Sequence, residues 1–510
     1  MTVWLLGDQL HPDHHVLDGA DRILLVEATA FADRRRYHPQ KLTLVFAAMR
    51  HARDRLREAG YDVEYRQATT FGAALDDHFD AHPDDDLRLM RPPSHGAGER
   101  LSELVNARDG SLTLVEDDRF LCSPAAFDDW HGGSERPATT QADGAADDTF
   151  RHEAFYRWLR RREGILMDGD DPVGGKWNFD EANRETPPDN WSPPPTPRFE
   201  PDAVTRETRD WVVERFDTWG EVGGFAWPVT REDALAALDH FVTHRLPQFG
   251  PYQDAMVGDE WALAHSLLSS SLNLGLLKPR EVIDAAVDAF DRDAAPIESV
   301  EGFVRQVLGW REFMRHVYRR TMPELATGDL LDRSRPLPSL YYDGETRMQC
   351  LSEAVRGVYE RGYAHHIERL MLLSNFATLY GADPAELNEW FHLGFVDAYH
   401  WVTTPNVLGM GTFATDAFTS KPYVSSGNYV DRMSDHCAAC PYDVDATTGA
   451  DACPFNALYW AFLKEHEETL RGTGRMGLMY SHVDRKDEAA WERIDERATR
   501  LRERAAEGTL

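Results

Sequence analysis

The hydrophobic period changes once along this chain, and that change limits the fold more than any other feature. Through residue 120, short aliphatic runs at Val3–Leu6, Arg22–Glu27, Asp62–Tyr65, Leu87–Met90 and Leu112–Val115 read as strands. They alternate with amphipathic stretches at Lys41–Ala59, Phe71–His82 and Gly98–Ala107. Strands separated by helices imply an α/β domain with a doubly wound parallel sheet. From about residue 228 the period is near 3.6 in segments 231–246, 260–277, 280–291, 299–321, 348–361, 363–380, 384–401 and 455–471, with no convincing strand between them. The C-terminal half is therefore expected to be all-α. Residues 132–149 and the Pro-rich stretch 187–201 read as connectors. The chain thus divides into 1–131, a linker with some helix at 132–227, and 228–510, within the two or three domains that 510 residues allow. The charged tail from Asp487 is expected to be a solvated helix.

No run of 18 apolar residues is present, so a membrane helix is not expected. The opening MTVWLLGDQL lacks a basic region before its apolar stretch and reads as a first strand, which points to a cytoplasmic protein. The net charge of −32 normally argues against nucleic acid. Yet only six of the 55 basic residues are Lys, and an acidic, Lys-poor composition suits a halophilic cytoplasm. At 1 M salt the Debye length is about 3 Å, so surface repulsion costs little there. The charge reports habitat more than partner, and a local Arg-rich groove remains compatible with DNA.

Cysteine spacing is the strongest local signal. Cys437-Ala-Ala-Cys440 is followed after twelve residues by Cys453-Pro454. A Cys-x-x-Cys pair places two thiolates on one metal site, and Cys-Pro often closes a cluster. Cys350, in the helical half, is preferred over Cys122 as a fourth ligand. On spacing alone, structural zinc and an iron–sulfur cluster stand even. In Ala364-His365-His366-Ile367-Glu368-Arg369, both histidines can share a helix face with Arg369. Adjacent histidines diverge by about 100°, so only one would face a given ligand, where it could donate a proton. A structural, hydrogen-bonded histidine is the commoner occurrence. Gln306 with Gly309-Trp310-Arg311-Glu312-Phe313 offers an aromatic and polar wall. The hydroxyl-rich His265-Ser266-Leu267-Leu268-Ser269-Ser270-Ser271 could cradle a diphosphate.

In this order, the motifs resemble the photolyase/cryptochrome family across essentially the whole chain. Gly7-Asp8-Gln9-Leu10 at the first strand's end and Asp397-Ala398-Tyr399 in a flavin loop belong to the same likeness. The four cysteines, Ala364-His365-His366, Pro405-Asn406-Val407-Leu408-Gly409-Met410 and Lys421-Pro422-Tyr423 are similar to the iron–sulfur bacterial branch, which includes (6-4) photolyases. The resemblance implies an all-α FAD-binding domain, a 4Fe–4S cluster on Cys350, Cys437, Cys440 and Cys453, and a monomer that repairs UV-damaged DNA with light. It places the FAD diphosphate near Tyr252, His265, Ser266, Leu267, Leu268 and Ser269, and the rings near Gln306, Trp310 and Arg311. It pairs Arg369 with Asp397 beneath the isoalloxazine. It assigns catalysis to His366, with His365 as a second proton-handling group, and electron relay to Trp390. Met410, Lys421, Tyr423 and Tyr429 would face the flipped lesion, and Asp8 and Gln9 a 6,7-dimethyl-8-ribityllumazine antenna. The chain departs from its relatives at Phe31, Arg34, Tyr342, Leu370, Phe391 and Thr403. Two other functions compete: a cryptochrome-like photosensor without repair, and a light-independent FAD oxidoreductase.

Overall fold

The expected strands form the sheet, each within a residue or two except for the third, which runs on to Ala68. They are β1 Thr2–Leu5, β2 Arg22–Ala28, β3 Asp62–Ala68, β4 Asp86–Met90 and β5 Ser111–Val115, all parallel in the order β3-β2-β1-β4-β5. This is a computed structural model; it describes all residues except 84, 133–149, 189, 420, 421 and 473–475. The first connector, apart from Gly132, lies outside the described residues, as does Lys421.

Period-2 alternation divides the core. Val3, Leu5, Ile23 and Leu25 face one way, into a hydrophobic core continuous with the helical half. Trp4, Leu24 and Val26 face the other way, under α2 Phe71–Ala81 and α3 Ala97–Asn106. Helix α1 Pro39–Glu58 joins the two halves at its N-terminus. The backbone N–H of His38 donates to Leu393, and the Gln40 side chain donates to the carbonyls of Glu221, Gly223 and Glu360. After β5 the chain leaves the sheet, and the backbone N–H groups of Leu121 and Cys122 donate to buried Glu312, 3.1 Å each.

Residues 228–510 are helical; pairing there, among the described residues, is limited to isolated bridges. Four expectations need correction. Segment 260–277 contains only the short helix Ser269–Asn273. Helix 384–401 breaks after Gly394, and Asp397 sits in the resulting turn. The helix expected from 363 begins at His366, with His365 as its extended N-cap. The C-terminal helix Glu488–Ala506 is not a free solvated face, because Ile494, Ala498, Leu501 and Ala505 are buried and the helix packs on Pro454–Glu465. No helix among the described residues is long and apolar enough to cross a membrane.

Candidate flavin cavity and cysteine site

Arg245 explains why 260–268 is not helical. Its fully buried guanidinium donates to the carbonyls of Ala262, Leu263 and His265 at 2.7–2.8 Å, and to Pro194 and Pro195 at 3.2 and 3.1 Å. One side chain satisfies carbonyls that a helix would have paired internally. Asp259, Leu263 and Leu267 take positive φ along this loop, at 63°, 40° and 60°. Such conformations cost about 1–3 kcal/mol each and persist where surroundings over-determine them.

The loop forms one wall of a cavity of about 330 Å³, at the low end of the ~300–1,000 Å³ typical of cofactor sites. Its floor is an ion pair. Arg369 donates from both terminal nitrogens to the two oxygens of Asp397, 3.0 Å each. Ser269 donates its hydroxyl to Asp397 at 2.7 Å, and Asn273 holds the Asp397 carbonyl at 2.8 Å. Burial alone would raise the Asp397 pKa, but Arg369 and these hydrogen bonds hold it below the usual carboxylate value. Lys41, reaching in from α1, donates to Ala398 at 2.7 Å, and burial pulls its pKa down to about 7.

Gln306, Trp310 and Arg311 line the cavity from the π-helical turn Arg305–Arg311. Trp310 is fixed by stacking on His152, with centroids 3.7 Å apart and an interplanar angle of 10°. Two more π-helical turns, Arg369–Ser374 and Pro405–Gly411, contribute Arg369, Leu370 and Ser374, and Asn406, Val407 and Met410. Inserted π turns cluster at functional sites because they redirect side chains from a regular helix face. His265, Ser266, Leu267 and Ser269 complete the wall expected for a diphosphate.

His366 stands at the mouth, its side chain 44% exposed and its Nε2 3.2 Å from Asp254 Oδ1. His365 points elsewhere: it is buried and stacks on His265, with centroids 4.6 Å apart and an angle of 12°. Burial, reinforced by neighbouring cationic groups, pushes both His265 and His365 well below the usual imidazole pKa. Adjacent positions therefore give one accessible and one buried imidazole. Tyr429 is near Asp254; burial first, then that carboxylate, push its phenol up to about 12. Tyr252, Leu268 and Tyr423 do not line the cavity. Tyr252 packs edge-on against Trp191, and Leu268 turns into the core. Trp390 also lies behind the wall, 5.2 and 5.7 Å from the rings of Phe391 and Phe395, which do line it. A second cavity of about 440 Å³ lies on the far side of Leu267; its charged groups are the exposed Arg198 and Glu221 and the partly exposed Arg361–Glu360 pair, with no buried carboxylate among them.

Cys350, Cys437, Cys440 and Cys453 line one small cavity, with Cys122 buried elsewhere against Glu312. Burial raises the Cys350 thiol well above its usual pKa and lifts those of Cys437 and Cys453 to about 12 and about 11; neighbouring sulfurs add to each shift. Four thiolates there require compensating cations.

Asp8 and Gln9 are engaged within the protein. Arg119 reaches Asp8 Oδ2 at 2.9 Å, and buried Gln9 donates to the Met90 carbonyl at 2.8 Å. Phe31 packs against Tyr37 and Phe46.

A family model described as deoxyribodipyrimidine photo-lyase-related protein matches residues 3–227. The (6-4) photolyase of Agrobacterium fabrum is 39% identical over 506 residues, covering 97% of this chain and 96% of the relative. The chain belongs to the photolyase/cryptochrome family. Its fold is also that of a bacterial class III photolyase from Agrobacterium tumefaciens, with TM-score 0.60 and 15% identity over 99% of this chain and 96% of the other. A cryptochrome from Synechocystis gives TM-score 0.55 and 17% identity over 81% and 82%.

Several residues of this photolyase-family site escape sequence reasoning. Arg245 and Asp254 carry no local signal, since their partners lie in distant segments. Glu368 is buried against His365, and that burial raises its carboxyl to about 7. Lys41 did carry a signal: in a chain with six lysines, one inside an apolar helical stretch invites a search for its partner.

Proposed function

We propose that this chain is a light-driven DNA photolyase that repairs (6-4) pyrimidine–pyrimidone photoproducts with FAD in the helical cavity. One observation carries the reading: Arg369, paired with the buried carboxylate of Asp397, floors the cavity whose mouth holds His366. FAD, when bound and reduced, supplies an electron to the damaged base under blue light. Arg369 presents a fixed cation to a ring system that becomes anionic, and Asp397 keeps that cation oriented. Ser266 and Ser269 offer hydroxyls for a diphosphate, and Trp310 and Gln306 suit a planar ring with a polar edge.

A (6-4) product needs a proton as well as an electron, whereas a cyclobutane dimer needs only the electron. His366 holds that proton at Nε2, beside Asp254. Buried His365 and His265, kept neutral, do not compete for it. A damaged base costs less to flip than a paired one, which favours the lesion. Exposed Arg184 and Arg432 flank the mouth, Arg184 3.9 Å from Asp254 and Arg432 over the Tyr429 ring. Arg184 is already paired with Asp180 and Asp254, so Arg432 is the cation left to meet a phosphate backbone.

Trp390 serves as an electron relay whose route leaves through Trp219. Phe391 cannot be oxidised reversibly, but Trp390 lies 6.1 Å from Trp219, which lies 5.9 Å from Tyr342 and 6.0 Å from Tyr359. Both tyrosines reach the surface. Cys350, Cys437, Cys440 and Cys453 would hold a 4Fe–4S cluster: the four share one cavity, and Cys437-x-x-Cys440 with Cys453-Pro454 has the spacing of a cluster site. The antenna finds less support, since Asp8 and Gln9 are engaged internally.

Oligonucleotides carrying a defined lesion, mixed with reduced holoprotein and illuminated, test this reading. Turnover of the (6-4) product, lost in His366→Ala, is expected. Turnover of the cyclobutane dimer alone would overturn the lesion assignment. Light-driven flavin reduction without turnover of either lesion would replace repair with the photosensor reading.

A further inference from the structure

A second side-chain cluster with metal-ligating chemistry lies at the amino-terminal edge of the sheet, away from the flavin cavity. His78 in α2 and His82, one turn later at its C-cap, face Glu64 on the edge strand β3. Glu64 Oε2 is 2.8 Å from His78 Nδ1 and 3.6 Å from His82 Nε2, and the three donor groups lie within 4.8 Å of one another. The other Glu64 oxygen is held by Arg66 at 2.7 Å, which fixes the carboxylate.

The second ring nitrogen of His78 is informative. His78 is fully buried, and its Nε2 has no hydrogen-bond partner; Asp85 Oδ2 stands 3.5 Å away. With Nδ1–H donated to Glu64, a neutral ring would aim the Nε2 lone pair at a carboxylate. An ion on Nδ1 removes the conflict, because the ring then carries its proton on Nε2 and donates it to Asp85. That carboxylate–histidine–metal arrangement orients metal-bound imidazoles generally.

We propose that His78, His82 and Glu64 bind a zinc ion, with Asp85 as acceptor for the outer His78 N–H. A tetrahedral ion with bonds of about 2.0–2.2 Å spaces its ligands about 3.3–3.5 Å apart, within the range these donors already span. Two imidazoles and a carboxylate suit zinc better than the hard cations magnesium or calcium. Water fills the fourth position, on the side of partly exposed His82. The ion ties the end of α2 to the sheet edge, and on binding the single proton of the neutral His78 ring moves from Nδ1 to Nε2.

The test uses holoprotein, equilibrated with zinc chloride, desalted and analysed for zinc by atomic emission. Wild type should retain one more zinc per chain than His82→Ala, and also one more than Glu64→Gln. Zinc should raise the unfolding temperature of wild type but not of His82→Ala. His82 is partly exposed, so that variant is expected to fold, and unchanged flavin content checks it. Any zinc held by the cysteines is common to all three proteins and cancels. Equal zinc retention in all three would overturn the proposal and leave His78 as a proton-bridged structural histidine between Glu64 and Asp85.

Discussion

The sheet domain and the helical half treat buried polar groups in opposite ways. At the strand ends of the α/β domain, Asp8, Gln9, Asp117 and Arg119 bond to one another and to backbone, leaving little for a ligand. In the helical half, Arg369, Asp397, Gln306 and His366 converge on open space. The loops after β1 and β5 meet beside the sheet, so Asp8 and Gln9 find partners in Arg119 and the Met90 carbonyl. Three π-helical turns and the strained loop at 260–268 turn side chains away from such partners and toward a cavity. In the helical half, irregular backbone marks where binding chemistry is kept available.

The sharpest way to break that contrast is Arg369→Ala. It leaves the buried Asp397 carboxylate unpaired and should cost about 3–5 kcal/mol, with loss of bound FAD; urea unfolding and the ratio of flavin to protein absorbance measure both. Glu368→Gln should act through pH. The folded-state pKa of Glu368, about 7 against an ordinary 4.5, means the folded protein holds this proton more tightly. Its contribution therefore diminishes as pH rises from about 4.5 to about 7, by up to roughly 3 kcal/mol. Denaturation at several pH values should show a fall in wild type that the variant flattens. Trp219→Phe should leave folding intact while slowing light-driven flavin reduction about tenfold, equivalent to about 1.4 kcal/mol, and it should diminish the tyrosyl radical signal after a flash. In the sheet domain, Gln9→Ala should cost about 1–2 kcal/mol without changing FAD content or photoreduction. A loss of flavin in that variant would dissolve the contrast between the two regions.

The fold was largely legible because hydrophobic period reports directly on local structure. All five strands and most of the expected helices lie close to where the pattern places them. The pattern failed at 260–277 and 395–399. There, contacts from Arg245 and Arg369 outweigh helix propensity by satisfying carbonyls or fixing a carboxylate in a turn. Family likeness supplied motifs for residues that the fold brings to the two cavities, as at Asp397, Trp310 and the cysteines. The contacts of Asp254 with His366 and of Trp219 with Trp390 were not legible, because the partners are remote in sequence.

Sequence by itself determined where helices and strands arise, which cysteines can share a site, and which family the chain resembles. Only the tertiary structure decided which of two adjacent histidines reaches the cavity and that Asp8 and Gln9 are engaged internally. It also set the Trp390 ring 6.1 Å from that of Trp219. Local period depends on a few neighbouring residues, whereas burial, pairing and ring contact depend on segments that meet only when the chain has folded.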